Sequence, residues 1–160
     1  YWKVTGFYTP LESDYMSTLN THIKIKNVNA FLFNEHFIKA VKVEGWGKTR
    51  FGWYLGYYGG QWHKKNTALN ALGKPLVIGA VAVDNKVIKK GERVMIPAIQ
   101  HIMGMSEFVA VDVGSAIKNN HIDIYTGEGN AAKQLSYRVT GRHQVCQVKH
   151  PRVPVEDLSN

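Results

Sequence analysis

Short runs of β-branched and aromatic residues, interrupted by glycine, asparagine and proline, recur along most of the 160-residue chain. The runs have the length of strands, and the interruptions are typical of turns. This pattern restricts the fold to an all-β barrel or sandwich more strongly than any other feature of the sequence. The runs predicted to be strands are Trp2 to Tyr8, His22 to Ile25, Ala30 to Phe33, Ile38 to Val43, Leu76 to Val83, Arg93 to Ile96, Phe108 to Val113, Ile122 to Tyr125 and Gln144 to Val148.

Helical signals are few and brief. Asn130 is a suitable N-cap for a helix that ends near Arg138. A second short helix is predicted over residues 66–72, where a Gly-Lys-Pro sequence supplies a stop signal. The chain length suits a single domain, predicted over residues 1–150, followed by a tail at residues 151–160 that contains two prolines and two acids.

The chain carries a formal net charge of +8. Such an excess favours a polyanionic partner, for example nucleic acid, anionic lipid or an acidic cell-wall polymer. Cys146 is the only cysteine, which excludes a disulfide framework and a cysteine-based zinc site. His121 and His143 are too isolated in the sequence to predict a metal site. No apolar run approaches the roughly 20 residues of a membrane span. We therefore expect no metal, no cofactor and no membrane span, and the sequence leaves the oligomeric state open.

The stretch from Trp46 to His63 combines many aromatic residues with five glycines. One interpretation is a glycine-rich hairpin whose aromatic side chains pack in the core. The other is a groove wall for a flat polymer, because sugar rings and bases both stack on exposed aromatic faces. Alternate residues of one strand could satisfy both interpretations. Trp46 and its neighbour Lys48 are the candidates for substrate contact in this stretch.

Two aspartates, Asp112 and Asp123, lie eleven residues apart in strand-like segments. They belong to the sequence Asp112-Val-Gly-Ser-Ala-Ile-Lys-Asn-Asn-His-Ile-Asp123-Ile-Tyr125. Carboxylates at strand ends that face a shared loop can converge on one site, as acid–base work on a glycosidic bond requires. From the residues alone, a pair of turn-capping aspartates is the simpler explanation.

This segment resembles the signature of the 3D (three-aspartate) domain, which is approximately Asp-x-Gly-Gly-Ala-Ile-Lys-Gly-x-x-x-Asp-x-Tyr/Phe. That domain occurs in membrane-bound lytic transglycosylase A and in stationary-phase muralytic proteins. Ser115 and Asn119 replace two glycines of the signature, and both residue types are small or tolerate turns. Asp84, in the sequence Val-Ala-Val-Asp, takes the place of the first of the three aspartates. In all, the resemblance extends over about residues 5–148.

The resemblance implies an all-β fold, a six-stranded double-psi β-barrel with short peripheral helices. It also implies a peptidoglycan lytic transglycosylase, which cleaves the bond between N-acetylmuramic acid and N-acetylglucosamine and leaves 1,6-anhydro ends. Asp123 takes the position of the general acid and base, and Asp112 that of electrostatic support. Asp84 is the third catalytic candidate, with a structural hydrogen-bonding role as its alternative. The candidates for substrate binding are Thr5, Tyr8, Trp46, Lys48, Gly114, Ser115 and Lys118.

Peptidoglycan strands are the expected partner, and nucleic acid is not expected. A location in the cell envelope follows, either periplasmic or attached to the outer membrane, with secretion or a virion as alternatives. Two other functions remain open: a non-catalytic glycan-binding barrel of the expansin type, and a basic nucleic-acid-binding module. The pair Asp112 and Asp123 argues against the first, whereas the net charge and the aromatic stretch motivate the second.

Overall fold

The computed structural model describes residues 1–148 of the chain. The strands in this range are β1 (Trp2–Thr9), β2 (Thr21–Lys24), β3 (Ala30–Phe33), β4 (Trp46–Lys48), β5 (Tyr54–Tyr58), β6 (Gln61–Lys65), β7 (Ala80–Ala82), β8 (Arg93–Met95), β9 (Glu107–Asp112), β10 (His121–Glu128), β11 (Gly141–His143) and β12 (Cys146–Gln147). The α-helices are α1 (Glu35–Glu44), α2 (Gln100–Met103) and α3 (Gly129–Arg138), and short 3-10 helices cover Glu12–Asp14 and Pro97–Ile99. Of the helices described, none is long and apolar enough to cross a membrane.

Packing divides the chain into two compact units. Among the described residues, unit 1 contains Tyr1–Phe7, Leu69–Gly127 and residues 134–148, whereas unit 2 contains Tyr8–Ala68 and Glu128–Lys133. Three of the four boundaries fall within β1, β10 and α3, and the fourth lies in the loop between β6 and β7. The predicted boundary at residue 150 lies outside the described residues, as does the predicted tail.

Unit 1 is built on a seven-stranded mixed sheet in the order β11-β1-β10-β7-β9-β8-β12. β7 and β9 are parallel, whereas β7 is antiparallel to β10, its other neighbour. Successive side chains of a strand point to opposite faces. Accordingly, Ile122 and Ile124 of β10 join one buried apolar cluster, and Tyr125 joins a second with Phe7 and Ala82. The sheet is therefore covered by apolar side chains on both faces.

Unit 2 contains the antiparallel sheet β4-β5-β6, the pair β2-β3 and helix α1. Asn34 caps α1, because its side-chain oxygen accepts a hydrogen bond from the backbone N–H of His36 at 2.9 Å. The helix ends at Gly45, which has a positive φ of 100°. The core of this unit consists of Ile23, Ile25, Phe33, Phe37, Ile38, Val41 and Leu55.

The predicted six-stranded double-psi β-barrel is wrong. The chain instead forms a seven-stranded mixed sheet with helices, together with separate three-stranded and two-stranded sheets. The physical reason is that the β-rich runs between residues 21 and 65 pair with one another and not with the strands of unit 1. The predicted strand at residues 38–43 lies within α1, where Phe37, Ile38 and Val41 are buried at helical spacing.

The helix predicted over residues 66–72 is also absent. Asn70 forms a turn in its place, since its side-chain oxygen accepts hydrogen bonds from the N–H groups of Leu72 and Lys74. The predicted long strand at residues 76–83 shortens to β7. By contrast, β1, β3 and α3 follow the predictions closely. Asn130 was predicted to cap α3, but the helix already begins one residue earlier, at Gly129, so that detail is wrong.

Gly6 lies where β1 passes close to α3, and it provides a test of this packing. A Cβ atom at Gly6 would lie 2.6 Å from the Cα atom of Ser136 and 2.8 Å from its carbonyl oxygen. Backbone atoms cannot yield as a flexible side chain can. We expect Gly6→Ala to lower the free energy of unfolding by about 1–3 kcal/mol, the usual cost of overpacking. Urea titration measures this change.

Lys3→Ala is the matched control, because Lys3 is exposed on the same strand. Its effect on the free energy of unfolding should stay within about 0.5 kcal/mol. Equal stabilities of the Gly6→Ala protein and the unaltered protein would contradict the close approach of β1 and α3.

Candidate active site

Asp112 and Asp123 lie in one row across the central strands of unit 1. Asp123 of β10 pairs with Ala82 of β7, and Ala82 pairs on its other side with Asp112 of β9. Residues in register on neighbouring strands point to the same face of a sheet. Two strand spacings separate the Cα atoms of the two aspartates by roughly 9–10 Å. The carboxyl groups therefore share one face, with a methyl side chain between them.

An irregularity in β9 brings Asp112 to this face. Val81 pairs with Ala110, but the next residue, Ala82, pairs with Asp112, so Val111 is an extra residue in the strand. Such a β-bulge redirects the side chains that follow it and often lies beside a functional site. Under strict alternation, Asp112 would point to the face opposite Asp123. The bulge is therefore required for the two carboxyl groups to converge.

Burial raises the pKa of Asp112 and that of Asp123 to about 6. Backbone hydrogen bonds from Val113 and Ala71 partly oppose this effect at Asp112, whereas the charge of Asp123 adds to it. At Asp123, the hydrogen bond from Thr5 opposes it. Both side chains are only partly buried and keep contact with solvent. A carboxyl group with a pKa near 6 can donate and accept protons close to neutral pH, as an acid–base catalyst must.

Thr5 of β1 connects Asp123 with His121. The hydroxyl group of Thr5 donates a hydrogen bond to Oδ1 of Asp123 at 2.8 Å, and it lies 2.8 Å from Nε2 of His121. His121 is only 8% exposed, and its pKa is lowered by burial and by the charge of Lys3. The sequence placed Thr5 near the substrate, but it gave no sign of the contact with His121. The 3D-domain signature commonly has arginine at the position of His121, so the signature does not indicate a contact between His121 and Thr5.

Asp84 has a different environment from the other two aspartates. Its carboxylate accepts hydrogen bonds from the backbone N–H of Asn119 at 2.9 Å and from that of Lys86 at 3.0 Å. These bonds lower the pKa of Asp84. Asp84 follows β7, whereas Asn119 belongs to the loop between β9 and β10. The carboxylate of Asp84 thus fastens that loop, which supports the structural role considered for it.

The loop between β9 and β10 contains three of the predicted substrate-binding residues. The carbonyl oxygen of Gly114 accepts a hydrogen bond from the N–H of Ile117 at 3.0 Å, which closes a turn. Ser115 and Lys118 are exposed. Asn119 has a φ of 60°, in the left-handed region that asparagine tolerates better than most residues. The exchange of a glycine of the family signature for Asn119 thus preserves the turn.

The other predicted substrate-binding residues belong to unit 2. Tyr8 is buried, its N–H donates to Glu44, and its hydroxyl lies 3.3 Å from that of Tyr15. Trp46 is also buried. The Nζ atom of Lys48 lies 5.9 Å from the centre of the Tyr54 ring. Because Tyr8 and Trp46 are buried, little of either side chain can contact a ligand. Lys48 is more accessible than both and is the better candidate for substrate contact among the three.

The aromatic stretch forms a hairpin, as one of its two interpretations predicts. β5 and β6 pair around Gly59 and Gly60, both of which have a positive φ. Gly56 is required within the hairpin, because a Cβ atom there would lie 2.5 Å from the ring of Trp46. Phe51, just before β5, is 48% exposed and stacks on Trp53. The stretch therefore combines packed aromatic side chains with a few exposed ones.

A cationic cavity of about 330 Å³ also lies in unit 2. The ring of His63 stacks on that of Tyr58 at 3.7 Å in one part of the lining. The pair Lys64-Lys65 is the only sequence signal that could have indicated this cavity. No carboxylate contributes to its lining, which consists of Lys26, Asn27, Tyr58, His63, Lys64 and Lys65. Residues 1–148 contain no group of three His, Cys, Asp or Glu side chains placed to hold a metal ion.

The raised pKa of Asp123 predicts that Asp123→Asn stabilises the fold at neutral pH. The folded-state pKa of about 6 lies above the ordinary value of 3.8, so ionisation opposes folding. This penalty is absent below the ordinary pKa, grows between the two values and is complete above the folded pKa. One pKa unit corresponds to about 1.4 kcal/mol, and contact with solvent reduces the effect. We expect a gain of about 1–2 kcal/mol at neutral pH and none at strongly acidic pH, measured by urea titration.

Asp84→Asn is the control of opposite sign. Because the pKa of Asp84 is lowered in the folded state, its charge stabilises the fold above the ordinary pKa of 3.8. That contribution is lost as the pH falls through the folded pKa. Asp84→Asn should therefore destabilise the fold at neutral pH. A shift of both variants in the same direction at neutral pH would show that the environments are wrongly assigned.

The part of the chain that contains Asp84, Asp112 and Asp123 is similar to a known protein family. Residues 79–147 match the family described as the 3D domain. The membrane-bound lytic murein transglycosylase A homolog of Buchnera aphidicola is 37% identical over 82 residues, which are 46% of this chain and 22% of that protein. The chain therefore spans less than a quarter of the length of this curated relative.

Several solved structures share the fold. The chain superposes on Escherichia coli MltA with bound chitohexaose with a TM-score of 0.73 at 17% identity, covering 95% of this chain and 72% of that one. For MltA from Neisseria gonorrhoeae the TM-score is 0.63 at 15% identity, with 91% and 72% covered. For a membrane-bound lytic murein transglycosylase from Agrobacterium tumefaciens it is 0.62 at 16% identity, with 90% and 72% covered. Residues 79–147 are therefore similar to the 3D-domain family, and part of the chain is similar to a membrane-bound lytic murein transglycosylase A homolog.

Proposed function

We propose that this chain is a lytic transglycosylase that cleaves the β-1,4 bond between N-acetylmuramic acid and N-acetylglucosamine in peptidoglycan. The observation that carries the proposal is the environment of Asp123, a solvent-accessible carboxyl group with a pKa of about 6 opposite a second carboxyl group. The similarity to a lytic murein transglycosylase A homolog supports it, as does the shared fold with MltA bound to chitohexaose.

In the proposed reaction, protonated Asp123 donates its proton to the glycosidic oxygen as the bond from that oxygen to C1 of the muramyl residue breaks. The leaving N-acetylglucosamine gains a free 4-hydroxyl group. The C6 hydroxyl group of the same muramyl residue then attacks C1, and its proton passes to the Asp123 carboxylate. The product is a 1,6-anhydro ring, and the acid is restored. The reaction consumes no water and requires no nucleophile from the protein.

Asp112 supports this cycle through its charge. Two nearby carboxyl groups resist simultaneous ionisation, so one of them tends to keep a proton near neutral pH. Asp112 also presents a negative charge on the face where positive charge develops at C1 of the sugar. Its backbone hydrogen bonds hold it in place, whereas within residues 1–148 the hydrogen bond to Asp123 comes from the hydroxyl of Thr5 at Oδ1. Asp112 is therefore assigned the electrostatic role and Asp123 the proton transfer.

The substrate class agrees with the charge of the chain. Peptidoglycan carries carboxylates on its peptide stems, and the chain has a net charge of +8. The cationic cavity of unit 2 suits such a carboxylate, since three of its lining residues are lysines. A peptidoglycan substrate places the protein in the cell envelope, in the periplasm or at the outer membrane, with secretion or a virion as the alternatives.

Asp123→Asn should abolish cleavage while the fold is retained. The amide keeps the shape of the side chain and an oxygen that accepts from Thr5, but it cannot supply the proton. Loss of general acid–base assistance typically lowers a rate by about 10²–10⁴-fold. Mass spectrometry of digested peptidoglycan measures the release of 1,6-anhydro muropeptides and distinguishes them from reducing ends left by hydrolysis.

Two further variants separate the roles of the aspartates. Asp112→Asn should lower the rate without abolishing it, and Asp84→Asn should act mainly on stability. The assignment of the acid is wrong if Asp123→Asn keeps near-normal turnover while Asp112→Asn is inactive. Reducing ends in place of anhydro ends would instead make the protein a hydrolase.

Binding of chitohexaose tests the location of the site independently of turnover. We expect titration of the Asp123→Asn protein to shift the backbone NMR signals of Thr5 and of residues 112–123. Cellohexaose has the same backbone linkage but lacks the N-acetyl groups, and it should cause smaller shifts at equal concentration. If chitohexaose shifts the signals of neither Thr5 nor residues 112–123, the glycan binds elsewhere on the protein.

A further inference from the structure

We propose that His121 is a positioning residue, which acts through the hydroxyl group of Thr5 to keep the transferable proton of Asp123 on Oδ2. The effect of His121 on catalysis rests on the proposed function, in which Asp123 is the general acid and base. The position of the proton and its coupling to His121, however, are properties of the folded protein that can be measured without turnover.

The direction of both hydrogen bonds follows from counting protons. A threonine hydroxyl has one proton to donate and can accept at its oxygen. Thr5 donates that proton to Oδ1 of Asp123 at 2.8 Å. The contact of 2.8 Å between the same hydroxyl and Nε2 of His121 therefore requires the proton on Nε2, with His121 as the donor. The chain of donors runs from His121 through Thr5 to Asp123.

This direction decides which oxygen of Asp123 carries the acid proton. Oδ1 already accepts the hydrogen bond from Thr5. If the acid proton were also on Oδ1, that oxygen would have fewer lone pairs with which to accept the Thr5 hydrogen. Protonation therefore occurs on Oδ2, which is the oxygen left to transfer a proton. Without the donor at His121, the Thr5 hydroxyl can rotate and accept a hydrogen from a protonated Oδ1. The acid proton would then be held by Thr5 and not presented to a substrate.

The surroundings of His121 preserve this arrangement. His121 and Asp123 are two residues apart on β10 and point to the same face. His121 is buried and the charge of Lys3 on β1 lies nearby, and both lower the pKa of the ring against a smaller opposing effect of the Ala116 backbone. Burial and Lys3 favour the neutral ring at neutral pH. A neutral ring donates to Thr5 without placing a positive charge beside Asp123, and such a charge would stabilise the carboxylate and weaken the acid.

Two substitutions of His121 separate positioning from packing. His121→Gln keeps a side-chain N–H that can donate to Thr5, whereas His121→Leu keeps apolar bulk without a donor. Titration of the Asp123 carboxyl group by ¹³C NMR gives its pKa in each protein, with signals assigned by comparison with Asp123→Asn. Digestion of peptidoglycan gives kcat and KM.

We expect His121→Leu to raise the pKa of Asp123, because the donated hydrogen bond that favours the carboxylate is weakened. At the same time kcat should fall by about tenfold, the rate equivalent of one charge-assisted hydrogen bond, with KM unchanged. A raised pKa of Asp123 together with a lowered kcat would show that the proton is bound more tightly but on the oxygen that cannot transfer it to the substrate. His121→Gln should restore both values to near those of the unaltered protein.

The proposal is overturned if His121→Leu leaves the pKa of Asp123 unchanged, or if a folded His121→Gln protein behaves like His121→Leu. Should His121→Leu not fold, Thr5→Val breaks the same chain of donors one step later and must raise the pKa of Asp123. A protein that shows these pKa shifts but releases no anhydro muropeptides would support the role of His121 and contradict the proposed function.

Discussion

The site depends on the position of Ala82, which pairs with an aspartate on each side. β7 lies between β9 and β10 in the interior of the seven-stranded sheet, so its backbone groups are paired with both neighbours. The small side chain of Ala82 leaves room between the two carboxyl groups. A larger side chain would cover the gap or separate the carboxyl groups from a shared ligand. The chemistry of the pair is thus fixed by strand register and not by a flexible loop.

This register has an energetic cost at neutral pH. The two carboxyl groups lie on the face whose apolar cluster includes Phe7 and Tyr125, and burial raises the pKa of each to about 6. The hydrogen bond from Thr5 opposes that effect but does not cancel it. The large apolar cluster on the other face, with Ile122 and Ile124, offsets the cost. Such conflict between local stability and function is common at catalytic sites.

The sequence motif records the spacing of Asp112 and Asp123 but not their arrangement in the sheet. The spacing of Asp112 and Asp123, and the turn that Asn119 permits, are local features that a motif records. The bulge at Val111 is not visible in the pattern, because one extra residue changes the face of a side chain without changing composition. The contact of Thr5 with His121 joins residues 116 positions apart, and no local signal specifies it. The same limit explains the wrong barrel, since sheet membership depends on long-range pairing.

The contrast between Asp84 and Asp123 shows why one residue type serves two purposes in the same motif. Two backbone N–H groups donate to the carboxylate of Asp84 and favour its charge, whereas burial of Asp123 favours its protonated form. Asp84 follows Ala82 by two residues, and its bond to Asn119 fastens the loop that connects β9 with β10. These strands carry the other two aspartates. An ionised Asp84 therefore helps to keep the register in which Asp112 and Asp123 lie on one face of the sheet, on either side of Ala82.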